Sequence, residues 1–433
     1  MSDSARHPTL AVRVLFVLVA TVLAAAIGAP APATPAAQAA PESPACAWRF
    51  MSNETVLNVA FPDANATYWV LPYALGGDDR IELSGDYPAA RYFSLNTYGT
   101  DLNTVDTLRD DQIAPDQDSV NPFLDPSSAG SPDSARRWHA TVLPGEADHA
   151  LNQIRALPTG AATQTVPMGF LIIRVYVPDD AASLPGGVPL PAVALVLNNG
   201  ATTIPISTCP TAFDPAVATS GPLGQAMEAA FDRLIAGAAS GAFPGNVPEA
   251  TFVNPASTSG LFPNGDNKYI GAGLTYQPGR IVVVRGRAPT FPDTRAGVPV
   301  TEPGEQVRYW SMCQNDQVSP YPVVACAADF QTNIDSSGYY TYVVAAAGDV
   351  PSSAASDPTV TVLPWGSTDV PKKVLFLRHM LPGPAFYPQS VQASQAANSD
   401  PAVTMGEYYP RATYCARADF EAGGYRACLN GNG

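Results

Sequence analysis

The sequence predicts an all-β protein made of two tandem domains of the β-sandwich or jelly-roll type, joined by a connector helix. Short runs rich in Val, Ile, Tyr, Phe and Thr alternate with clusters of Gly, Pro, Asn and Asp, which is the pattern of strands and turns. The 44 prolines leave little room for long helices, because proline lacks the amide donor that a helix interior needs. The chain also repeats itself, and the repeat defines the domains.

Landmarks that occur twice in the same order mark the repeat. A strand ending "DRIELSG" precedes "RYFSLNTY" at 91–98, and a strand ending "GRIVVVRG" precedes "RYWSMCQN" at 308–315. Each copy closes with an arginine-containing strand between prolines, "PMGFLIIRVYVP" and "PKKVLFLRHMLP". The first of these is apolar on both faces, which predicts a central strand covered on both sides. We therefore expect one sandwich at 46–210 and a second at 251–385.

The first residues, 1–39, have the features of a secretory signal peptide. Arg6 and Arg13 precede an apolar run at 14–29, and Ala37 and Ala39 form a small-residue cleavage site. The mature chain should begin near residue 40, and no later stretch is apolar for the roughly 18 residues that a membrane helix needs. We expect a protein that is secreted or associated with the cell envelope, with no transmembrane segment after cleavage.

The cysteines indicate a disulfide framework. All six follow the cleavage site, and an even number in an exported chain is typical of paired cysteines. Their positions predict two short-range bonds, Cys313–Cys326 and Cys415–Cys428, and a long one, Cys46–Cys209, that joins the ends of the first copy. The sequence has no C-x-x-C motif, which argues against a thiolate metal site.

The charge of the chain excludes two classes of partner. The formal net charge is −15, and removal of Asp3, Arg6 and Arg13 with the signal peptide makes it −16. Nucleic acids and anionic lipid surfaces attract cationic proteins, so neither is expected as a partner. The sequence does not predict an oligomeric state.

Two segments lie outside the copies. The segment 211–250 contains a predicted helix at 221–241, with apolar side chains at helical spacing on one face: Leu223, Met227, Phe231, Leu234 and Ile235. We interpret it as a connector that packs on one sandwich. The segment 386–433 is predicted to be an irregular tail fastened by Cys415–Cys428.

A family resemblance supports this organisation. The closing strands "LPTGAATQTVPMGFLIIRVYVP" and "VLPWGSTDVPKKVLFLRHMLP" resemble those of a β-sandwich domain in a widespread bacterial exported family of unknown function. The "RYFS" and "RYWS" strands resemble an earlier strand of that domain, and the whole chain resembles uncharacterised secreted proteins of actinobacteria. The resemblance implies a fold, and it implies no catalytic residues.

Enzymatic motifs are missing from the sequence. There is no G-x-S-x-G nucleophile elbow and no H-E-x-x-H zinc motif. Only His139, His149 and His379 remain after cleavage, and the apolar surroundings of His379 favour a packed histidine. A hydrolase would need a site assembled from distant residues, and we keep it as an alternative. No cofactor is predicted.

One acidic loop is a weak candidate for a calcium site. Its carboxylates could supply oxygen ligands, although their spacing is not that of an EF-hand and a solvated loop is the favoured interpretation. The candidate ligands are Asp101, Asp106, Asp110, Asp116 and Asp118.

Paired arginines are the strongest candidates for a functional role. Arg91 and Arg174 in the first copy match Arg308 and Arg378 in the second. Arginines among large apolar side chains need acidic or carbonyl partners, so we expect an ion pair or carbonyl clamp inside each sandwich. The alternative is an anion or sugar site in which an aromatic side chain forms a platform. The residues of that site would be the four arginines with Tyr92, Tyr309 and Trp310.

These observations favour a secreted protein without catalytic machinery that binds a glycan, a lipid or a protein partner. Besides the hydrolase, a purely structural module of the cell surface is the other alternative. The residues that point to any of these functions are the arginines and the aromatic side chains beside them.

Overall fold

The computed structural model describes residues 46–125, 135–158, 168–209, 229, 247–255, 262–318 and 320–429. The predicted signal peptide and the predicted connector helix, apart from residue 229, lie outside the described residues. The described strands form four sheets in two sandwich-like groups, so the predicted all-β class is confirmed.

The first sandwich contains ten strands in two five-stranded sheets, with the orders β1-β2-β8-β4-β5 and β10-β9-β3-β6-β7. The strands are β1 (Phe50–Ser52), β2 (Ala66–Ala74), β3 (Arg80–Asp86), β4 (Ala90–Gly99), β5 (Thr104–Arg109), β6 (Arg137–Leu143), β7 (Gln153–Arg155), β8 (Met168–Pro178), β9 (Ala192–Leu197) and β10 (Thr202–Ile206).

The second sandwich has two four-stranded sheets, with the orders β11-β17-β13-β14 and β16-β15-β12-β18. Its strands are β11 (Asn267–Thr275), β12 (Arg280–Arg287), β13 (Val307–Asp316), β14 (Val323–Ala328), β15 (Tyr339–Ala345), β16 (Val360–Pro364), β17 (Lys372–Pro382) and β18 (Arg411–Ala416). Four short helices accompany them: α1 (Ser352–Ser356), α2 (Val391–Ala396), α3 (Pro401–Met405) and α4 (Arg417–Leu429).

The repeated motifs occupy matching places in the two sandwiches. β4 lies beside β8 in the first copy, and β13 lies beside β17 in the second. The registers also agree, because Ser94 is opposite Arg174 and Ser311 is opposite Arg378. The two motif strands therefore hold equivalent places in their sheets, with the same register to the neighbouring strand.

Residues after 385 depart from the predicted irregular tail. β18 lies beside β12, in the position that β9 occupies beside β3 in the first copy. The second sandwich therefore needs this late segment to complete its outer sheet. The sequence obscured the match because two helices, α2 and α3, are inserted between β17 and β18, and no such insertion follows β8.

The disulfides have the predicted pairing: Cys46–Cys209, Cys313–Cys326 and Cys415–Cys428. The first joins the ends of the first copy, and the second links directly opposed residues of β13 and β14. Within the described residues, no helix has the length and apolar character that a membrane crossing would require.

A third apolar cluster lies between the two sandwiches, and it positions the candidate site. Strands β4 and β8 alternate, so that Phe93 and Ile173 enter the core of the first sandwich while Tyr92 and Tyr176 face the second. Tyr309 and Met380 of the second sandwich belong to the same cluster. The central sheets of the two copies therefore pack face to face, and this accounts for the two covered faces predicted for β8.

Candidate functional site

Two arginines on matching strands each bind an aspartate of the other sandwich, and we call this reciprocal pairing the exchange. Arg91 of β4 donates to Asp329 of the second copy at 2.8 Å, and Arg308 of β13 donates to Asp110 of the first copy at 2.6 Å. Arg91 has no exposed side-chain area, and Arg308 is 12% exposed. The prediction of burial is confirmed, whereas the prediction of a partner within the same sandwich is wrong. The sequence could not distinguish the two cases, because both copies have a matching aspartate.

Each of these aspartates also fixes its own copy. Asp110 accepts the backbone amide of Phe93 at 2.8 Å, and Asp329 accepts that of Trp310 at 3.1 Å. Burial raises the pKa of Asp329 to about 6, and the positive charge of Arg91 opposes that rise. The carboxylate is therefore mostly ionised at neutral pH, and it links the strand of its own sandwich to the arginine of the other.

The second pair of arginines is exchanged in the same way. Arg378 of β17 forms an ion pair with the buried Asp63 of the first copy. Arg174 of β8 donates to the backbone carbonyl of Phe262 in the second copy at 2.6 Å and to the hydroxyl of Tyr98 at 2.8 Å. All four predicted arginines thus have partners across the interface between the sandwiches.

One tyrosine of each sandwich also donates a hydrogen bond to an aspartate of the other sandwich. Tyr92 donates to Asp266 of the second copy at 2.8 Å, and Tyr309 donates to Asp63 of the first at 2.9 Å. The two copies are related by a pseudo-twofold arrangement, because each sandwich donates to the other from two arginines and one tyrosine at matching positions. The interface is consequently specified by directional contacts as well as by its apolar cluster.

A cavity of about 90 Å³ lies in this interface. Its wall is largely apolar and aromatic, with contributions from Phe50, Val70, Ile172 and Phe262. The polar groups on the wall come from both copies: Arg174, Arg378, Tyr68, Tyr176, Tyr269, Asn264 and Asn267. An apolar wall with a few convergent polar groups is the usual composition of a ligand site.

Two tyrosines of the cavity, Tyr68 and Tyr269, are neutral. Burial raises the pKa of Tyr68 well above its usual range, and it also raises that of Tyr269. The hydroxyls of Tyr68 and Tyr176 lie 3.0 Å apart and form a hydrogen bond. Arg174 stacks over the Tyr68 ring at 4.7 Å. These groups hold the arginine in a fixed orientation on the cavity wall.

A second cavity of about 370 Å³ also lies between the sandwiches. It is lined by residues 88–90 and Asp179 of the first copy, and by Thr294 and residues 297–300 of the second. Burial raises the pKa of Asp179, and the hydrogen bond from Thr294 opposes that rise.

The predicted ligand residues separate into two groups. Arg174 and Arg378 line the smaller cavity, whereas Arg91, Arg308, Tyr92 and Tyr309 hold the sandwiches together. Trp310 lies in the core of the second sandwich. The asparagines and the other tyrosines of the cavity were not among the predicted site residues. A signal for them exists in the matching stretches "FPDANATY" and "FPNGDNKY", which lead into β2 and β11 and include their first residues.

The predicted calcium ligands do not converge in the described part of the chain. Asp106 binds His149 at 3.0 Å, Asp116 binds His139 at 2.7 Å, and Asp110 is held by Arg308. Asp101 caps its own turn by accepting from Asn103 at 2.7 Å. Asp118 is exposed. Cation-binding carboxylates would have to share one ion, and here they have separate partners.

The histidines give no catalytic arrangement within the described residues. His139 and His149 each hydrogen-bond to a carboxylate, but neither residue lines either cavity, and no serine or threonine hydroxyl bonds to them. His379 is fully buried in β17 and packs against Phe386. A serine hydrolase requires a nucleophile beside its base.

His379 predicts a pH effect on stability. Burial lowers its pKa to about 3, whereas an ordinary histidine titrates near pH 6.5 in the unfolded chain. Below pH 6.5 the unfolded chain therefore binds a proton that the folded protein does not, and the stability due to this residue falls as the pH falls toward 3. Between pH 7 and pH 5, the free energy of unfolding of His379→Leu, measured with urea, should fall by about 2 kcal/mol less than that of the unmodified protein. Equal losses would contradict a neutral buried histidine.

Comparison with known proteins shows the fold and no activity. The chain is similar to an uncharacterised protein from Burkholderia cenocepacia, with a TM-score of 0.51 and 12% identity over 96% of this chain and 91% of that one. A protein from Vibrio parahaemolyticus is also similar, with a TM-score of 0.38 and 13% identity over 81% of this chain and 89% of that one. No protein-family profile and no curated protein sequence matches the chain.

Proposed function

We propose that this chain is an exported binding protein without catalytic machinery, and that the 90 Å³ cavity between the sandwiches is its ligand site. The observation that supports the proposal is the cavity wall itself, which both copies build from an apolar surface and a few buried polar groups. A cavity at an interface between domains is a common position for such a site. Each sandwich contributes one sheet face, and the two faces meet to form this cavity.

The wall composition favours one of the predicted ligand classes. A glycan would bring many hydroxyls, and each would need a polar partner in the cavity. The apolar side chains that line most of the wall suit the hydrophobic part of a lipid-like molecule instead. The volume is below the roughly 300 Å³ at which drug-sized ligand pockets begin, so a small amphiphile fits better than a long acyl chain.

Export is part of the proposal. The predicted signal peptide at 1–39 would direct the chain out of the cytoplasm. The three disulfides support this, because such bonds persist in oxidising compartments. Cleavage near residue 40 can be checked by N-terminal sequencing of the protein recovered from the medium or the envelope fraction.

Blocking the cavity should abolish ligand binding. The mature chain is screened by thermal melting against lipids, small acids, glycans and envelope extracts, and each hit is repeated with Val59→Trp, because Val59 lines the cavity. An indole at this position should fill the space and remove the ligand-induced rise in melting temperature. Val403→Trp is the matched control, because Val403 is 80% exposed and lies on α3.

The outcomes separate the candidate functions. A ligand whose effect is lost in Val59→Trp and retained in Val403→Trp supports the proposal. A ligand that stabilises both variants equally binds elsewhere and contradicts the proposed site. If no compound of the panel raises the melting temperature of the unmodified protein, the purely structural module becomes the better interpretation.

A further inference from the structure

The two copies differ at a position that faces an arginine. Asp63 of the first copy and Asn264 of the second occupy matching places, each ahead of the first long strand of its sandwich. The backbone contact from Ala66 to the carbonyl of Asp63 measures 3.1 Å, and the contact from Asn267 to the carbonyl of Asn264 also measures 3.1 Å. The acid of one copy is therefore an amide in the other.

This difference leaves one buried arginine without a carboxylate. Asp63 pairs with Arg378, whereas the amide at Asn264 cannot neutralise Arg174. Arg174 is only 6% exposed, and within the described residues no carboxylate forms an ion pair with it. Its hydrogen bonds go to a backbone carbonyl and a tyrosine hydroxyl, which carry no charge. A buried cation without an anion is unfavourable, so the site lacks one negative charge.

Unused donors belong to the same wall. The Nε of Arg174 and the Nδ2 of Asn264 are buried and have no hydrogen-bond acceptor. Both residues line the 90 Å³ cavity. The orientation of the Asn264 amide is fixed, because its Oδ1 accepts the backbone amide of Asp266 at 3.1 Å. A carboxylate oxygen is the acceptor that suits a guanidinium and an amide donor together.

The rest of the cavity limits what the carboxylate can be attached to. A cavity needs about 10–15 Å³ of such volume to hold one water, so 90 Å³ has room for several waters or for one small organic molecule. The walls near Val70, Ile172 and Phe262 are apolar. A short hydrocarbon body fits both the size and the lining, whereas a strongly hydrated inorganic anion would lose its water against these side chains.

We propose that Arg174, together with Asn264, binds the carboxylate of a small organic acid whose short apolar body fills the cavity. This inference rests on the proposed ligand site and adds the chemical class of the ligand. The anion lies beside Arg174 as Asp63 lies beside Arg378. The bound ligand therefore supplies the negative charge that the Asp63 side chain supplies at the matching position.

Butyrate and butyramide provide a matched pair of probes, because they have nearly the same shape and differ in charge. Titration calorimetry and thermal melting of the mature chain at constant ionic strength should show binding of butyrate at least about tenfold tighter than that of butyramide, as expected for a charged hydrogen-bonded pair. Equal effects of both compounds overturn the role of the carboxylate. Equal effects of butyrate, chloride and phosphate overturn the organic acid.

Asn264→Asp should replace the ligand by an internal carboxylate. The variant should melt at a higher temperature than the unmodified protein, and its affinity for butyrate should fall at least about tenfold. Asn398→Asp, at an exposed position, is the control that adds the same charge without either effect. If Asn264→Asp does not fold, Arg174→Gln is used, and it should abolish the preference for butyrate over butyramide. Retention of that preference in either folded variant overturns the proposal.

The result also separates this inference from the proposed function. If another compound binds in a way that Val59→Trp blocks, while butyrate and related acids have no effect, the ligand site stands and the anion inference fails. If no compound binds the unmodified chain, both fail. Butyrate binding that Val59→Trp blocks and Asn264→Asp weakens supports both.

Discussion

Asp63→Asn should destabilise the protein by about 3–5 kcal/mol, the loss expected when one partner of a buried ion pair is removed. Asp63 has no exposed area, and it accepts from Arg378, from the Tyr309 hydroxyl at 2.9 Å and from the Ser311 hydroxyl at 2.8 Å. The amide has nearly the same shape, so packing is preserved, and the loss follows from the missing charge and from one acceptor oxygen that becomes a donor. Urea unfolding followed by tryptophan fluorescence measures the change.

Asp116→Asn is the control for this prediction. Asp116 pairs with His139, whose side chain is 68% exposed, and exposed pairs contribute about 1 kcal/mol or less. A loss of stability in Asp63→Asn no larger than that in Asp116→Asn would contradict an essential buried carboxylate at this position.

Arg91→Ala should destabilise the protein by about 3 kcal/mol or more, because the variant leaves Asp329 buried without its partner. Arg91 also stacks over the Phe291 ring at 5.2 Å, so truncation removes packing as well as charge. Arg308→Ala should have a similar effect through Asp110. Any ligand affinity of the folded fraction should stay unchanged, since neither residue lines the 90 Å³ cavity.

Arg287→Ala provides the matched control. Arg287 pairs with Glu407 at 2.7 Å, and both side chains are 42% exposed, so the loss should be much smaller than that of Arg91→Ala. Unshifted melting curves for both Arg91→Ala and Arg308→Ala would refute their structural role and would make them candidates for a binding site.

Local patterns were sufficient to predict the fold class, the repeated strands that hold matching places in the two sandwiches, and the disulfides. The alternation of "RYFSLNTY" places Phe93 and Leu95 in the core of the first sandwich, and the closing strand with Arg174 is covered on both faces. The residue pattern of the sequence does not show which sandwich supplies the partner of each arginine. Asp110 and Asp329 follow matching strands, so a pair within one copy and an exchange between copies have the same signature in the sequence.

The cavity was not predictable for a related reason. Its wall combines side chains from the two sandwiches, such as Tyr68 and Tyr269, and their approach depends on how the two folded sandwiches pack. The difference between Asp63 and Asn264 is visible in the sequence, but it acquires meaning only when Arg378 and Arg174 are known to face those positions.

A pair of double-mutant cycles measures whether each arginine binds the aspartate of the other sandwich. Stability is measured for Arg91→Ala combined with Asp329→Ala, and for Arg91→Ala combined with Asp110→Ala. Residues in direct contact show coupling of about 0.5–3 kcal/mol, whereas independent sites add. We expect coupling near the upper end of that range for Arg91 with Asp329 and near-additive effects for Arg91 with Asp110. Coupling of Arg91 to Asp110 instead would show that each sandwich pairs its own arginine, and it would contradict the exchange.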